Sequence, residues 1–136
     1  MTGVVCAQSE PWREVDSPYQ EDLKFGLGES LSPKVDINGV RWRSLRISVA
    51  EGETVADGET VNLDVALEFE NRTPSSVKLL VILLLEDADG APLERIELKP
   101  FKVGGERFKE RAETATSAGD VLLAAHRIYV FCEIQD

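Results

Sequence analysis

Histidine is nearly missing from this chain: His126 is the only one in 136 residues. A His-rich metal centre therefore has too few members to assemble. Cysteine is almost as scarce. Cys6 and Cys132 stand far apart, with no CxxC pair and no Cys/His cluster, which excludes the ligand spacing of a structural zinc site. Two readings of the cysteines stay open: a bridge that ties the termini together, or an unpaired, buried thiol at Cys132, whose apolar neighbours alternate with it as in a strand. Cationic excess is missing as well. Asp and Glu number 25 against 15 Lys and Arg, leaving a net charge of −10 and a pI near 4.6. Most faces of such a protein repel a phosphate backbone, so nucleic acid is not an expected partner. Arg41, Arg43 and Arg46 form the one basic cluster that runs against this balance.

There is also no long hydrophobic run. The least polar stretch is "VKLLVILLLE", Val77 to Glu86, interrupted only by Lys78. As a helix its apolar part would span about 13 Å against a hydrocarbon core of about 30 Å, so it cannot cross a bilayer. A porin-type strand would alternate, and this one does not. Turn residues flank it, Thr73-Pro74-Ser75-Ser76 before and Asp87 to Gly90 after, which leaves room for a strand and little more. A strand apolar on two sides needs cover on two sides. Leu79, Val81, Leu83 and Leu85 share one face with Val77, while Leu80, Ile82 and Leu84 take the other. One set belongs to a core. The other is expected to lie under the N-terminal residues, through Trp12, Phe25 or Leu27, or under another protein.

The rest of the chain is rich in punctuation. Asn38-Gly39, Gly52, Asp57-Gly58, Asn71 to Ser76, Asp89-Gly90, Gly104-Gly105 and Ser117 to Asp120 are turn signals at strand-like intervals. The runs between them have period 2. Val61, Leu63, Val65, Leu67 and Phe69 share one face, with Asn62, Asp64, Glu68 and Glu70 opposite. Ile128, Val130, Cys132 and Ile134 share another, as do Ile96 with Leu98 and Leu45, Ile47 and Val49. Trp42 is out of phase with Leu45, which predicts a bulge near Arg43-Ser44. Asp120 is an N-cap candidate for one short helical turn near 120–126. Residues 1–36 are polar, carry Pro11, Pro18 and Pro33, and hold no period for long; they are expected as an extended N-terminal arm. The expected fold is all-β: an immunoglobulin-like antiparallel sandwich of about seven strands over 37–136.

The first residues raise a processing question. Val5 and Ala7 before Gln8 resemble the end of a signal-peptidase site, so 1–7 reads either as the remnant of a signal peptide or as an ordinary tail. Lipid anchoring through Cys6 would meet Val5 where a small residue is expected.

The stretch "FENRTPSSVKLLVILLLEDADGAPLERIELKPFKVGGERF" resembles bacterial immunoglobulin-like domains of the FxLYD type, and related small envelope β-sandwiches. Asn71 stands at the Asn that ends the first strand of that pattern. Leu83-Leu84-Leu85-Glu86-Asp87 occupies the F-x-L-Y-D stretch, with Leu83 in place of the aromatic and Glu86 in place of Tyr. Gly90 matches the turn glycine, and Gly105-Glu106-Arg107-Phe108 resembles the return. The resemblance implies an immunoglobulin-like fold and a non-catalytic, exported role. It carries over no site residue.

Four motifs invite chemistry. Glu86, Asp87 and Asp89 beside Gly90 suggest calcium, but the twelve-residue ligand series of an EF-hand is absent and Asp-Gly at a strand end is hairpin chemistry. His126 with Ser117 and Asp120 suggests a triad, but no nucleophile elbow or Gly-rich oxyanion segment accompanies it. Asn71-Arg72-Thr73 is formally a glycosylation sequon; followed by Pro74, it reads as a turn in which the Asn71 side chain bonds nearby backbone. Gly104-Gly105 lacks phosphate-loop spacing. No catalytic, cofactor-binding or metal-ligating residue is therefore assigned, and no cofactor is expected. The expected function is a non-catalytic binding or accessory module of the periplasm or cell exterior, acting on another protein or on itself, with membrane contact only through a lipid anchor. The alternative is a structural subunit that assembles through its N-terminal arm or an edge strand.

Overall fold

The computed structural model describes residues 12–56 and 58–135. In chain order its elements are β1 (Arg13–Val15), β2 (Tyr19–Lys24), β3 (Ser30–Leu31), β4 (Val35–Ile37), β5 (Val40–Val49), β6 (Thr60–Asn71), β7 (Val77–Glu86), β8 (Pro92–Glu97), β9 (Phe101–Val103), β10 (Arg107–Ala118), α1 (Gly119–Ala124) and β11 (Arg127–Gln135). They form two sheets. The first has six strands, ordered β1-β4-β5-β6-β10, with β3 also on β5. The second has five, ordered β2-β11-β7-β8, with β9 also on β7. Every pairing is antiparallel except β1 with β4. This is the all-β sandwich that the alternating runs imply, with more strand segments than the expected seven.

The inner faces are those read from the period. Val61, Leu63, Val65, Leu67 and Phe69 of β6 are all buried, as are Leu79, Val81, Leu83 and Leu85 of β7 and Ile128, Val130 and Cys132 of β11. Full burial of each large aliphatic side chain stabilises by about 1.5–3 kcal/mol. A column of aromatics ties the sheets together. Trp42 stacks on Phe69 at 5.2 Å, Phe69 meets Phe101 at 5.8 Å, and Tyr19 meets the Trp42 edge at 6.2 Å. Trp42 reaches this column because the β5–β6 register shifts between Trp42 and Ser44. That bulge turns the out-of-phase indole inward.

Residues 13–36 are not an extended arm. They supply β1 to β4, and β2 pairs with β11 over its whole length in the second sheet. The apolar alternation of β2 is broken by one residue. Tyr19 and Leu23 point inward, and Glu21 stands between them on the same side. Its carboxylate accepts hydrogen bonds from the Tyr19 hydroxyl and from Arg13 Nη2 at 2.5 Å. Partial burial alone would raise the Glu21 carboxyl; those two donors outweigh it and hold it below the usual range. A charge satisfied in this way leaves no mark in a hydropathy pattern.

The helix cap lies two residues before the expected one. Ala118 is the N-cap, without a side-chain bond, and Asp120 lies in the first turn. Gly119 opens the helix because a Cβ there would stand 1.8 Å from the Ala56 carbonyl oxygen.

Candidate docking face

Strand pairing fixes which residues share the outer face of the second sheet. On β7 the residues between the buried ones are Lys78, Leu80, Ile82 and Leu84. Opposite them on β11 lie Gln135, Glu133, Phe131 and Tyr129. Leu80, Ile82, Leu84, Tyr129 and Phe131 are each half-buried, screened by neighbours in the sheet. No described element is stacked over them: the second sheet's strands pair only with each other, and α1 follows β10 of the first sheet. Ile82, Leu84, Tyr129 and Phe131, with Arg95, line a shallow depression of about 220 Å³.

The flanks of this apolar strip are polar and of both signs. Asp22 of β2 pairs with Tyr129, and Gln20 with Phe131. On the other side Arg95 of β8 pairs with Leu84, and Glu97 with Ile82. Arg95 holds Glu97 at 3.0 Å, and Arg127 holds Asp22 at 3.1 Å. An apolar centre with a charged rim is the anatomy of a protein interface.

The N-terminal residues expected as a lid lie elsewhere. Phe25 is in the core and Leu27 packs against it. Trp12 sits under the Arg41 and Arg43 guanidinium groups, at 4.9 and 5.8 Å, on the outer face of the first sheet. There Arg41 is held by Asp36 at 3.3 Å and Arg43 by Glu70 at 3.6 Å, while Arg46 donates to the Gly28 carbonyl at 3.0 Å. Each member of the sequence-level basic cluster thus spends its charge on a neighbour in the same chain. Arg43 also lies 5.4 Å from the exposed Phe108 ring.

One ionisable group at the end of the docking face has no such partner. Glu86 pairs in register with Arg127 and is buried, and its Oε1 accepts no hydrogen bond among the described residues. Burial raises its carboxyl above the usual range, and the nearby Asp22 carboxylate adds to that, against a smaller pull from Arg127. The sequence pattern gave no warning here, because Glu86 follows a buried Leu85 where alternation would put it outside.

The other motifs resolve locally. Asp87 Oδ1 accepts from the backbone N–H groups of Asp89 and Ala91, both at 2.9 Å, which builds the β7–β8 turn. Ser117 donates to Glu94 at 3.1 Å, and His126 Nδ1 stands 2.8 Å from the Ala124 carbonyl oxygen; the two do not meet. Gly105 lies where a Cβ would approach the Pro74 carbonyl oxygen to 2.4 Å, so it is the close contact of two turns. Asn71 is wholly buried. It donates to the carbonyls of Ser75 at 2.8 Å and Val103 at 3.1 Å, and accepts from Thr73 N at 2.9 Å and Thr73 Oγ1 at 2.7 Å. Cys132 is buried, and burial, with Glu133 beside it, pushes its thiol up to about 12. Cys6, the bridge question and the signal-like residues 1–7 lie outside the described residues.

No family model matches the chain, and no curated protein matches it. Among solved structures it is similar to part of a β-glucuronidase from glycoside hydrolase family 2, with a TM-score of 0.41 and 12% identity over 56% of this chain and 9% of the other. It is similar to a DUF1425 family member from Shewanella sp. pv-4, with a TM-score of 0.34 and 17% identity over 68% of this chain and 78% of that one. A third likeness is to a chain of the T13 IBDV viral particle, with a TM-score of 0.40 and 10% identity over 88% of this chain and 26% of the other. This chain thus spans a small part of the glucuronidase and about a quarter of the viral chain.

Proposed function

We propose that this chain is a non-catalytic module of the periplasm or cell exterior that works by docking protein on the outer face of its second sheet. The observation that supports this is the strip of Leu80, Ile82, Leu84, Tyr129 and Phe131, apolar, rimmed by charge, and uncovered by any described element. The strip serves no need of the fold, whose core lies on the other side of the same strands. Export is supported by the Val5-Ala7-Gln8 pattern and by the resemblance to FxLYD-type domains, whose Asn position Asn71 fills. Assembly through the long edge strand is the weaker reading. β10 turns Lys109, Arg111 and Glu113 inward, and inward-pointing charges blunt an edge against further pairing.

Binding of an environment-sensitive apolar dye to the dilute full-length chain tests the docking face. The wild type should take up dye, and Leu84→Lys should lose that uptake while the melting temperature falls by no more than about 5 °C, since a substitution at a half-buried position costs about 1 kcal/mol. Absence of uptake, or uptake indifferent to Leu84→Lys, would overturn the assignment of the face.

A further inference from the structure

The docking face is built to match itself. Its strands run in the order β2-β11-β7-β8, so β11 and β7 are central and β2 and β8 flank them. A two-fold axis laid along the strands, above the seam between β11 and β7, exchanges β11 with the partner's β7 and β2 with its β8. Residues at one level of the sheet then face those paired at the same level. Tyr129 meets Leu84 of the second copy, and Phe131 meets Ile82. Asp22, level with Tyr129, meets Arg95, level with Leu84. Each of these meetings occurs twice. At these levels apolar falls on apolar and Asp22 on Arg95; Leu80, at the end of the strip, meets Glu133, and Gln20 meets Glu97.

The balance of charge favours a like partner. The chain carries −10 overall, so most pairs of its faces repel. This face alternates the signs of Asp22, Arg127, Arg95 and Glu97, which lets two copies approach here. The area is adequate. Four strands at about 4.8 Å and eight residues at about 3.3 Å give a footprint on the order of 500 Å² per copy. Two footprints total on the order of 1,000 Å², the threshold of a specific interface, which suits a reversible dimer. Sheets that stack face to face keep their strands within about 30°, as this axis requires.

We propose that the outer face of the second sheet takes a second copy of this chain, packed sheet on sheet about a two-fold axis parallel to the strands. The proposal rests on the docking reading above and names its partner.

Sedimentation of the full-length chain from low micromolar to near-millimolar concentration tests it, with each variant checked for an unchanged thermal melt. The wild type should pass from monomer to dimer, and Phe131→Lys should hold it monomeric. Asp22→Arg and Arg95→Glu should each weaken the dimer by about tenfold or more, and the double variant should recover most of that loss. Within one chain Asp22 and Arg95 are three strand spacings apart, about 14 Å, so the recovery cannot come from an internal pair. A dimer that both single substitutions weaken and the double does not restore would overturn the two-fold. A wild type monomeric throughout would overturn the second copy. If that monomer still takes up dye in a manner lost in Leu84→Lys, the docking face stands with a different protein as occupant; if it takes up none, both readings fall. A monomer that takes up dye only after removal of residues 1–11 would assign the face to the chain's own N-terminal residues and overturn the proposal.

Discussion

Asn71→Ala should be among the most damaging single substitutions in this chain, although it removes no apolar surface. The side chain is wholly enclosed and makes four hydrogen bonds. Two of them satisfy the carbonyls of Ser75 and Val103, which join the β6–β7 turn to β9 of the other sheet. Leaving the buried Val103 acceptor unmet costs about 1–3 kcal/mol, while Ser75 is exposed and its carbonyl also accepts from Thr73 Oγ1 at 3.0 Å. Thr73 is half-buried, so water can replace part of what its N–H and hydroxyl lose. The sum is about 2–4 kcal/mol, against a total of about 5–15 for a domain. At this chain length that lowers the melting temperature by about 5–15 °C. Asn71→Asp separates the donor role from the acceptor role. It keeps the oxygen that Thr73 bonds and sets a second oxygen against two carbonyls. Burial and that repulsion raise the carboxyl's folded value above its unfolded one, so the missing stability returns as pH falls through the folded value toward about 4. Urea titrations followed by the buried Trp42 would measure both. The expected order at pH 7 is wild type, then Ala, then Asp, with Asp overtaking Ala on acidification. An Ala variant within about 1 kcal/mol of wild type, or an Asp variant above Ala at pH 7, would refute the reasoning.

Glu86→Gln should stabilise the protein at neutral pH, because it removes a charge that burial and the neighbouring Asp22 carboxylate disfavour. Its raised carboxyl means that the wild type gains stability as pH falls through the folded value, so the advantage of Gln should vanish below about pH 4.5; urea midpoints across that range check it. Cys132 should resist a bulky thiol reagent in the native protein and react on denaturation, since the thiol is enclosed and pushed up to about 12. Asp87→Ala should cost about 1 kcal/mol through the two turn bonds it loses, and millimolar calcium should leave the wild-type melting curve unmoved; a rise of several degrees abolished by Asp89→Ala would contradict the turn reading.

Much of the sandwich was legible because its central strands obey one rule. In β6, β7 and β11 the inward positions are apolar as far as Asn71, which closes β6, so period alone assigns the core face, and the Trp42 phase slip marks the bulge. The first sheet's β1, β3 and β4 and the second sheet's β2 were not legible. Three of them have two or three residues, too few to show a period, and β2 hides its own behind Glu21. The two-sided character of Val77–Leu85 was plain in the sequence, while its cover was not. Trp12, Phe25 and Leu27 were candidates by composition, and only the pairing of β2 with β11 shows that Phe25 and Leu27 are committed to the core. The Asp22–Arg95 match lies between strands distant in sequence and separated by two others, so no local pattern could carry it.

The central claim is that one set of side chains on β7 faces the core and the other faces outward without cover. Methyl resonances of Leu79, Val81, Leu83 and Leu85 against those of Leu80, Ile82 and Leu84, in dilute full-length protein with a soluble paramagnetic probe, test it directly. The probe should broaden the methyls of Leu80, Ile82 and Leu84, spare the other four, and lose its effect on the first set as concentration rises. Methyls of Leu80, Ile82 and Leu84 that are spared in the dilute monomer would contradict it, because the face would then be covered within a single chain.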